Sequence, residues 1–342
     1  MTARVLIVDD SAIIRKSFSR QLSAHPQIEV VGTAPDPYVA RDMILKLKPN
    51  VLTLDLEMPR MDGLTFLGKL MKHHPLPVVV VSSLSAKGSA TALRAMELGA
   101  VEVLCKPKAA YSAAEMSQDL VRVVLGASRA RVFARTPPPR SQARLRETTG
   151  KLLVFGASTG GTVAMERVLH GMPANLPGTL VTQHMPPGFT SQYAARLNKL
   201  FAFEVKEAAH GDAVVDGRVL IAPGMKHMRL VRDGARYVVD VRPGPRVNFH
   251  VPSVDITFDS VAKCAGANAV AAILTGMGDD GARGMVSLRK AGARTFAQDA
   301  ASCTVYGMPK AAMARGGVQE QVSLDIIAAR MIAAAKGHRL AS

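Results

Sequence analysis

Residues Lys151-Leu-Leu-Val-Phe-Gly-Ala-Ser-Thr-Gly-Gly161 form an apolar run that breaks at Gly156 and sets Ser158 among glycines before a helical pattern begins. The pattern predicts a strand, a sharp turn and a helix. Gly156-Ala157-Ser158-Thr159-Gly160 fits the G-x-S-x-G nucleophile elbow, in which a serine hydroxyl stands at a strand tip and the next helix N-terminus offers free backbone N–H groups. The same letters fit a second pattern, because Gly156-x-Ser158-x-x-Gly161 is a degenerate dinucleotide fingerprint. On its own the stretch admits a nucleophile, a pyrophosphate site or a glycine-rich turn, and the surrounding chain decides among them.

Outward toward the C-terminus the pattern is α/β, with strand 151–155, a helix at about 161–170, strand 179–183 and a helix at about 189–200. Short strands follow at 203–207, 218–221, 228–232 and 236–241, with Asp233-Gly234 as a tight hairpin signal between the last two. A helix at about 254–265 and strands at 269–274 and 294–297 restore the alternation. The expected architecture is a mostly parallel α/β sheet with an appended antiparallel hairpin.

A serine nucleophile needs a base and a group that orients the base. His184 ends the strand that follows the Ser158 unit, so a right-handed crossover brings it to the serine's edge of the sheet. His210, His227 and His250 are loop histidines and stay open as alternatives. His73, His74, His170 and His338 lie at helix ends, where a surface or C-cap role is the simpler account. Leu274-Thr-Gly-Met-Gly-Asp-Asp-Gly-Ala282 leaves a buried strand and turns through glycines into a helix. It offers Asp279 and Asp280, as an orienting acid or as an ordinary N-cap, and its turn can aim backbone N–H groups at a developing oxyanion.

Toward the N-terminus, seven basic residues between Gly126 and Lys151 stand against Glu147 alone, so this segment carries +6 of a formal net charge of +16. It also holds Pro137-Pro138-Pro139 and almost no apolar periodicity, which marks residues 126–149 as a solvated linker. That concentration weakens the nucleic-acid reading that the total charge invites. A chain of 342 residues is comfortable for two domains. No apolar run approaches the ~18 residues that cross a bilayer, and the N-terminus lacks a signal-peptide core, so a cytoplasmic protein without membrane insertion is expected. Cys105, Cys264 and Cys303 have no metal-site spacing and read as reduced.

The first half alternates strand and helix five times, with strands at 28–33, 51–56, 78–82 and 101–105 after the opening run Arg4-Val-Leu-Ile-Val-Asp9. Five βα units predict a flavodoxin-like, doubly wound parallel sheet with ligands at the carboxyl ends of its strands. Asp9, Asp10 and Asp55 lie at such ends with Lys106 opposite, a set that suits Mg²⁺ and phosphate oxygens. Any one of these aspartates alone would be ordinary turn chemistry.

Val8-Asp-Asp-Ser11, Leu54-Asp-Leu-Glu-Met-Pro59 with Met61-Asp-Gly63, and Lys106-Pro107 resemble a response-regulator receiver domain over about residues 2–125. The resemblance implies Asp55 as phosphoryl acceptor, Asp9 and Asp10 with Asp55 holding Mg²⁺, Lys106 on the phosphoryl group and Ser82, in preference to Ser83, as the switch hydroxyl. Phe155-Gly-Ala-Ser-Thr-Gly-Gly161, Gln183-His-Met-Pro-Pro-Gly-Phe-Thr190, Ala222-Pro-Gly224, Pro252-Ser-Val-Asp255 and 274–282 resemble the catalytic domain of the chemotaxis protein-glutamate methylesterase family, over 150–342. It implies Ser158 as nucleophile, His184 as base and Asp280, rather than Asp279, as orienting acid, with Thr159, Met277 and Gly278 around the oxyanion and no cofactor in the esterase site.

That family resemblance also implies hydrolysis of glutamate methyl esters on methyl-accepting chemotaxis receptors, deamidation of certain receptor glutamines, and activation by a chemotaxis histidine kinase. The sequence departs from the family where Val251 replaces an expected basic residue and where Asp279 adds a second carboxylate. A basic enzyme would be steered toward acidic receptor helices, which accounts for the net charge without nucleic acid. Two rival classes are weaker. The second half is far larger than a helix-turn-helix module of a DNA-binding regulator, and its second strand ends in Gln183-His184, where a nucleotide-dependent reductase would carry a ribose-binding acid.

Overall fold

A computed structural model describes residues 2–82, 85–106, 113–132 and 150–337, without the side chains of residues 86–87 and 113–116. Most of the expected linker (133–149), together with Ser83, Pro107 and His338, lies outside the described residues. The chain divides into two compact units, residues 1–134 and 135–342.

The first unit alternates strictly: β1 (Ala3–Val8), α1 (Ala12–Ser23), β2 (Ile28–Ala34), α2 (Pro37–Leu47), β3 (Val51–Asp55), α3 (Gly63–His73), β4 (Val78–Ser82), α4 (Ala86–Leu98), β5 (Glu102–Cys105) and α5 (Ala113–Ala127). All neighbours pair in parallel in the order β2-β1-β3-β4-β5. Helices on both faces bury β3 and β4 completely, which is why β4 reads as an unbroken Val-Val-Val-Val rather than an alternation. Ser11, Asp36, Asp62 and Ser85 cap the four helices after the first four strands by accepting free N–H groups. The strand order reverses between β1 and β3, so a crevice opens at their carboxyl ends.

In the second unit the order is β6 (Leu152–Ala157), α6 (Gly161–His170), β7 (Thr179–Gln183), α7 (Phe189–Leu200), β8 (Glu204–Glu207), β9 (Arg218–Ile221), β10 (His227–Asp233), β11 (Arg236–Arg242) and α8 (Val254–Cys264). After one 3₁₀ turn follow β12 (Ala269–Ile273), α9 (Ala282–Lys290), β13 (Arg294–Gln298), α10 (Met308–Ala314), β14 (Glu320–Val322) and α11 (Ile327–Ala335). Seven strands form one parallel sheet ordered β14-β13-β12-β6-β7-β9-β8. β6 therefore stands between β12 and β7, at the point where successive connections run to opposite sides. The loops after these three strands meet at one edge, and those loops carry Ser158, His184 and Asp280.

The expected hairpin forms its own two-stranded sheet, with β10 and β11 paired from His227↔Arg242 to Asp233↔Arg236 around a Gly234-Ala235 loop. Its inward residues Met228, Leu230, Val239 and Val241 share one core with Val254, Phe258 and Val261 of α8. Phe258 is fully buried there, and truncating it to alanine would cost about 3–5 kcal/mol.

Two details differ from the sequence reading. The apolar run does not break at Gly156: that residue pairs within the sheet with Thr182 and Ile273, and the strand continues to Ala157. Gly156 answers a packing demand instead, because a Cβ there would lie 2.3 Å from Val254 Cγ1. The short strand β14 at the sheet's edge and the alanine-rich helices α10 and α11, both packed against β12 and β13, are additional elements.

Candidate active site

Ser158 follows β6 directly, is almost fully buried, and is held by its backbone on both sides. Its N–H donates to Thr275 O (3.0 Å), and its carbonyl accepts from Gly161 N–H (2.6 Å) and Gln183 Nε2 (2.9 Å). The next turn requires Gly160 at φ +75°, a left-handed conformation that glycine adopts without penalty. At Gly161 a Cβ would stand 2.2 Å from Gln183 Oε1 and 2.7 Å from Ala157 Cβ, so only glycine lets α6 start this close to the sheet. The loop after β12 touches the same point. A Cβ on Gly276 would be 2.8 Å from Ser158 Cβ, and Thr275 Oγ1 donates to Thr159 O (3.0 Å). Thr159, Met277 and Gly278 thus belong to two loops tied together beside Ser158. Thr159 is buried, Met277 half-buried, and Gly278 exposed at φ +83°.

His184 follows β7, with its N–H on Ala157 O (3.1 Å). Its Nε2 lies 2.8 Å from Asp280 Oδ2, and its ring stacks on His250 with centroids 3.6 Å apart and planes 12° from parallel. Nδ1 is buried and has no hydrogen-bond partner among the described residues. An ionised carboxylate can only accept, so in the neutral imidazole the proton facing Asp280 sits on Nε2 and the lone pair is on Nδ1. That lone pair is what a general base requires.

Asp280 accepts five hydrogen bonds from the described residues. Oδ1 takes Asn248 Nδ2 (2.8 Å), Ser253 Oγ (2.8 Å) and Asp255 N–H (3.3 Å), and Oδ2 takes Val254 N–H (2.7 Å) besides His184. Val254 and Asp255 open α8, so the carboxylate sits at a helix N-terminus, where free N–H groups and the helix dipole favour negative charge. Burial alone would raise its pKa; the hydrogen bonds from His184, Asn248 and Val254 N–H overcome this and hold the carboxyl well below the usual range. Asp279 is unlike its neighbour: its side chain is 56% exposed and pairs with Arg315 at 3.0 Å. Of the two adjacent acids, Asp280 is the one that meets His184.

The other open histidines are occupied elsewhere. His227 is buried with Nε2 on Pro245 O (2.8 Å) and accepts from Ser253 N–H at Nδ1 (3.2 Å), while His210 pairs with Asp240 at 3.0 Å. Four residues around the site carried no role in the sequence reading. Gln183 ties Ser158 O to His184 O, Asn248 and Ser253 hold Asp280, and buried Asp255 binds Asn248, Gly284 N–H and Arg283. Only the Pro252-to-Asp255 and Gln183-His184 motifs hinted at them.

At the crevice of the first unit, one carboxylate oxygen each from Asp9, Asp10 and Asp55 lies within 4.8 Å of the others. Lys106 Nζ is 2.6 Å from Asp55 Oδ2 and 3.8 Å from Asp9 Oδ2. Burial and the neighbouring Asp55 charge push the Asp9 carboxyl up to about 6. Burial likewise raises Asp55 against the opposing hydrogen bond from Lys106, and burial's pull on Lys106 is overcome by Asp55, which keeps the ammonium charged. Asp9 Oδ2 is buried without a hydrogen-bond partner among the described residues. An orphaned carboxylate oxygen among three crowded carboxylates fits a hard divalent cation such as Mg²⁺. Ser82, at the end of β4, is buried and donates to Gly88 O (2.9 Å).

Fold and site together define a receiver unit and an α/β unit whose strand-end loops hold a buried histidine–aspartate pair. The family described as "CheB methylesterase" matches residues 153–331, and that described as "Response regulator receiver domain" matches 5–116. The protein-glutamate methylesterase/protein-glutamine glutaminase 4 of Anaeromyxobacter dehalogenans (strain 2CP-C) is 56% identical over 334 residues, 96% of this chain and 94% of that protein. The protein-glutamate methylesterase/protein-glutamine glutaminase of Salmonella typhimurium is 52% identical over 340 residues, 96% of each chain. The crystal structure of the Thermotoga maritima CheB methylesterase catalytic domain superposes with a TM-score of 0.52 at 36% identity, covering 54% of this chain and 97% of that one. The chain belongs to the CheB methylesterase family, the protein-glutamate methylesterase/protein-glutamine glutaminases, and carries the receiver domain of a response regulator.

Proposed function

We propose that residues 150–342 hydrolyse γ-glutamyl methyl esters on the cytoplasmic helices of methyl-accepting chemotaxis receptors through an acyl-enzyme on Ser158. The observation that carries this reading is the buried His184–Asp280 pair, whose proton lies on Nε2 and whose free Nδ1 sits at the sheet edge that Ser158 also occupies. Ser158 Oγ attacks the ester carbonyl while His184 Nδ1 takes its proton. Backbone N–H groups around Thr159, Met277 and Gly278 hold the oxyanion. The imidazolium then returns the proton to the methoxide leaving group, methanol departs, and water attacks the acyl-enzyme with His184 again as base. A glutamine side chain entering the same site would lose ammonia instead, so deamidation needs no further machinery. Asp280 keeps its charge throughout, stabilising the imidazolium across 2.8 Å.

Regulation in this reading runs through residues 2–125, with a chemotaxis histidine kinase as phosphoryl donor and Asp55 as acceptor. Asp9, Asp10 and Asp55 would hold Mg²⁺, which supplies charge neutralisation for the phosphoryl oxygens. Lys106 already stands beside the Asp55 oxygens, and Ser82 is the hydroxyl on the neighbouring strand end that would sense the new group. The work would take place in the cytoplasm, with no nucleic acid involved. The deciding experiment compares methanol release from methylated receptor membranes by wild type and Ser158→Ala. Loss of release in the variant is expected, and equal release would end the reading.

A further inference from the structure

Residues Val247 to His250 form a tight turn closed by two backbone hydrogen bonds, Val247 N–H on His250 O (3.1 Å) and His250 N–H on Val247 O (2.9 Å). Both central residues are left-handed, Asn248 at φ +49° and Phe249 at φ +68°. Asparagine tolerates that conformation, but the second position is one where glycine is favoured and a bulky aromatic is an outlier. The turn is pinned to the active site on both sides of Phe249. Asn248 Nδ2 binds Asp280 and Asp255, and the His250 ring lies flat on His184. Phe249 itself takes no part in that anchoring: its carbonyl accepts from Arg246 Nη1 (2.9 Å), while its side chain is 70% exposed. A second exposed apolar residue in a left-handed conformation, Met225 at φ +66°, borders the same segment, with its N–H on Val251 O (3.4 Å).

A strained backbone that turns an aromatic ring outward between two residues gripping the base and the acid needs a purpose that glycine would not serve. We propose that Phe249, with Met225 beside it, contacts an apolar side chain of the substrate polypeptide on the helical face that carries the esterified glutamate, and thereby selects which glutamyl sites are accepted. The occupant is the substrate itself, because the turn is continuous with the residues that hold His184 and Asp280. Val251, two residues on and half-buried, stands where the family resemblance leads one to expect a basic residue, so the segment carries no charge there. The inference rests on the ester-hydrolase reading and deepens it.

The test uses the full chain and two helical peptides, each with one γ-methyl glutamyl ester and either leucine or serine four residues away, on the same helical face. Wild type is expected to prefer the leucine peptide about ten-fold in kcat/KM, which corresponds to ~1.4 kcal/mol. Phe249→Gly should abolish that preference with an unchanged or higher thermal midpoint, since glycine adopts φ > 0 without strain, and Phe249→Leu should restore most of it. No leucine preference in wild type, or a preference retained in Phe249→Gly, overturns the inference. So does an equal loss on both peptides accompanied by a lower midpoint, or an effect confined to stimulation by phosphorylation. If wild type and Ser158→Ala release the same methanol from both peptides, the ester-hydrolase reading has failed and the inference falls with it.

Discussion

Asp280→Asn replaces an acceptor that takes five hydrogen bonds with a group that must also donate. Three donors converge on Oδ1 and two on Oδ2, so whichever side receives the new amide NH₂ faces at least one N–H that cannot accept. If the NH₂ turns toward His184, it donates to Nε2, drives the ring proton to Nδ1 and removes the lone pair that should accept the proton of Ser158. If it turns toward Oδ1's partners, Asn248 and Ser253 can rotate away but Asp255 N–H is fixed in α8. One buried donor left unpaired costs ~1–3 kcal/mol, which for a unit of this size lowers the thermal midpoint by about 2–12 °C. The loss of the imidazolium's counter-charge and of the correct tautomer lowers kcat by ~10⁴, with KM nearly unchanged. Asp279→Asn is the matched control, because it removes only an exposed pair with Arg315 worth ~0–1 kcal/mol. Methanol-release kinetics and differential scanning calorimetry on the three proteins read both effects. An Asp280→Asn enzyme within ten-fold of wild type, or an Asp279→Asn enzyme equally impaired, would refute the reasoning.

Further outcomes follow from the same geometry. Because the folded Asp280 carboxyl lies below its ordinary value of 3.8, it binds fewer protons than in the unfolded chain; its contribution to stability is present above about pH 4 and lost as pH falls, so the wild-type advantage over Asp280→Asn should shrink in acid melts. His250→Ala removes the ring stacked on His184 and should lower kcat about ten-fold more than it raises KM, with His250→Phe recovering most of the loss. Gly161→Ala forces a Cβ against Gln183 and Ala157 and should destabilise the second unit by ~1–3 kcal/mol, measured by urea unfolding. Asp55→Asn should lose stimulation by the phosphorylated kinase, and removing Mg²⁺ with EDTA should block phosphoryl uptake by wild type; stimulation that persists in the variant would displace Asp55 from its role.

The parts of this site that were legible in the sequence are those carried by short contiguous stretches. Ser158 sits in one elbow, His184 ends one strand, and the two acids share one glycine-rich turn, so order along the chain narrowed the candidates and the family resemblance, not spacing, singled out His184 and Asp280. What chooses Asp280 over Asp279 is not local. It is the N-terminus of α8 and the side chains of Asn248 and Ser253, about thirty residues upstream, whose donors converge only after the hairpin and α8 have packed. The same holds for His250, a loop residue by pattern and a ring stacked on His184 in the fold. Short alanine-rich helices such as α10 and the three-residue β14 escape periodicity because they offer too few residues to establish one. The opening stretch changes meaning for a related reason. Gly156 looked like the end of a strand because glycine usually weakens one. In the fold it is a strand position that Val254 and Phe258 of α8 pack against, and α8 is the helix whose N-terminus binds Asp280. The glycine before the serine therefore serves the acid: adding a side chain at 156 would push α8 outward and loosen the group that orients His184, 26 residues away in sequence from Ser158.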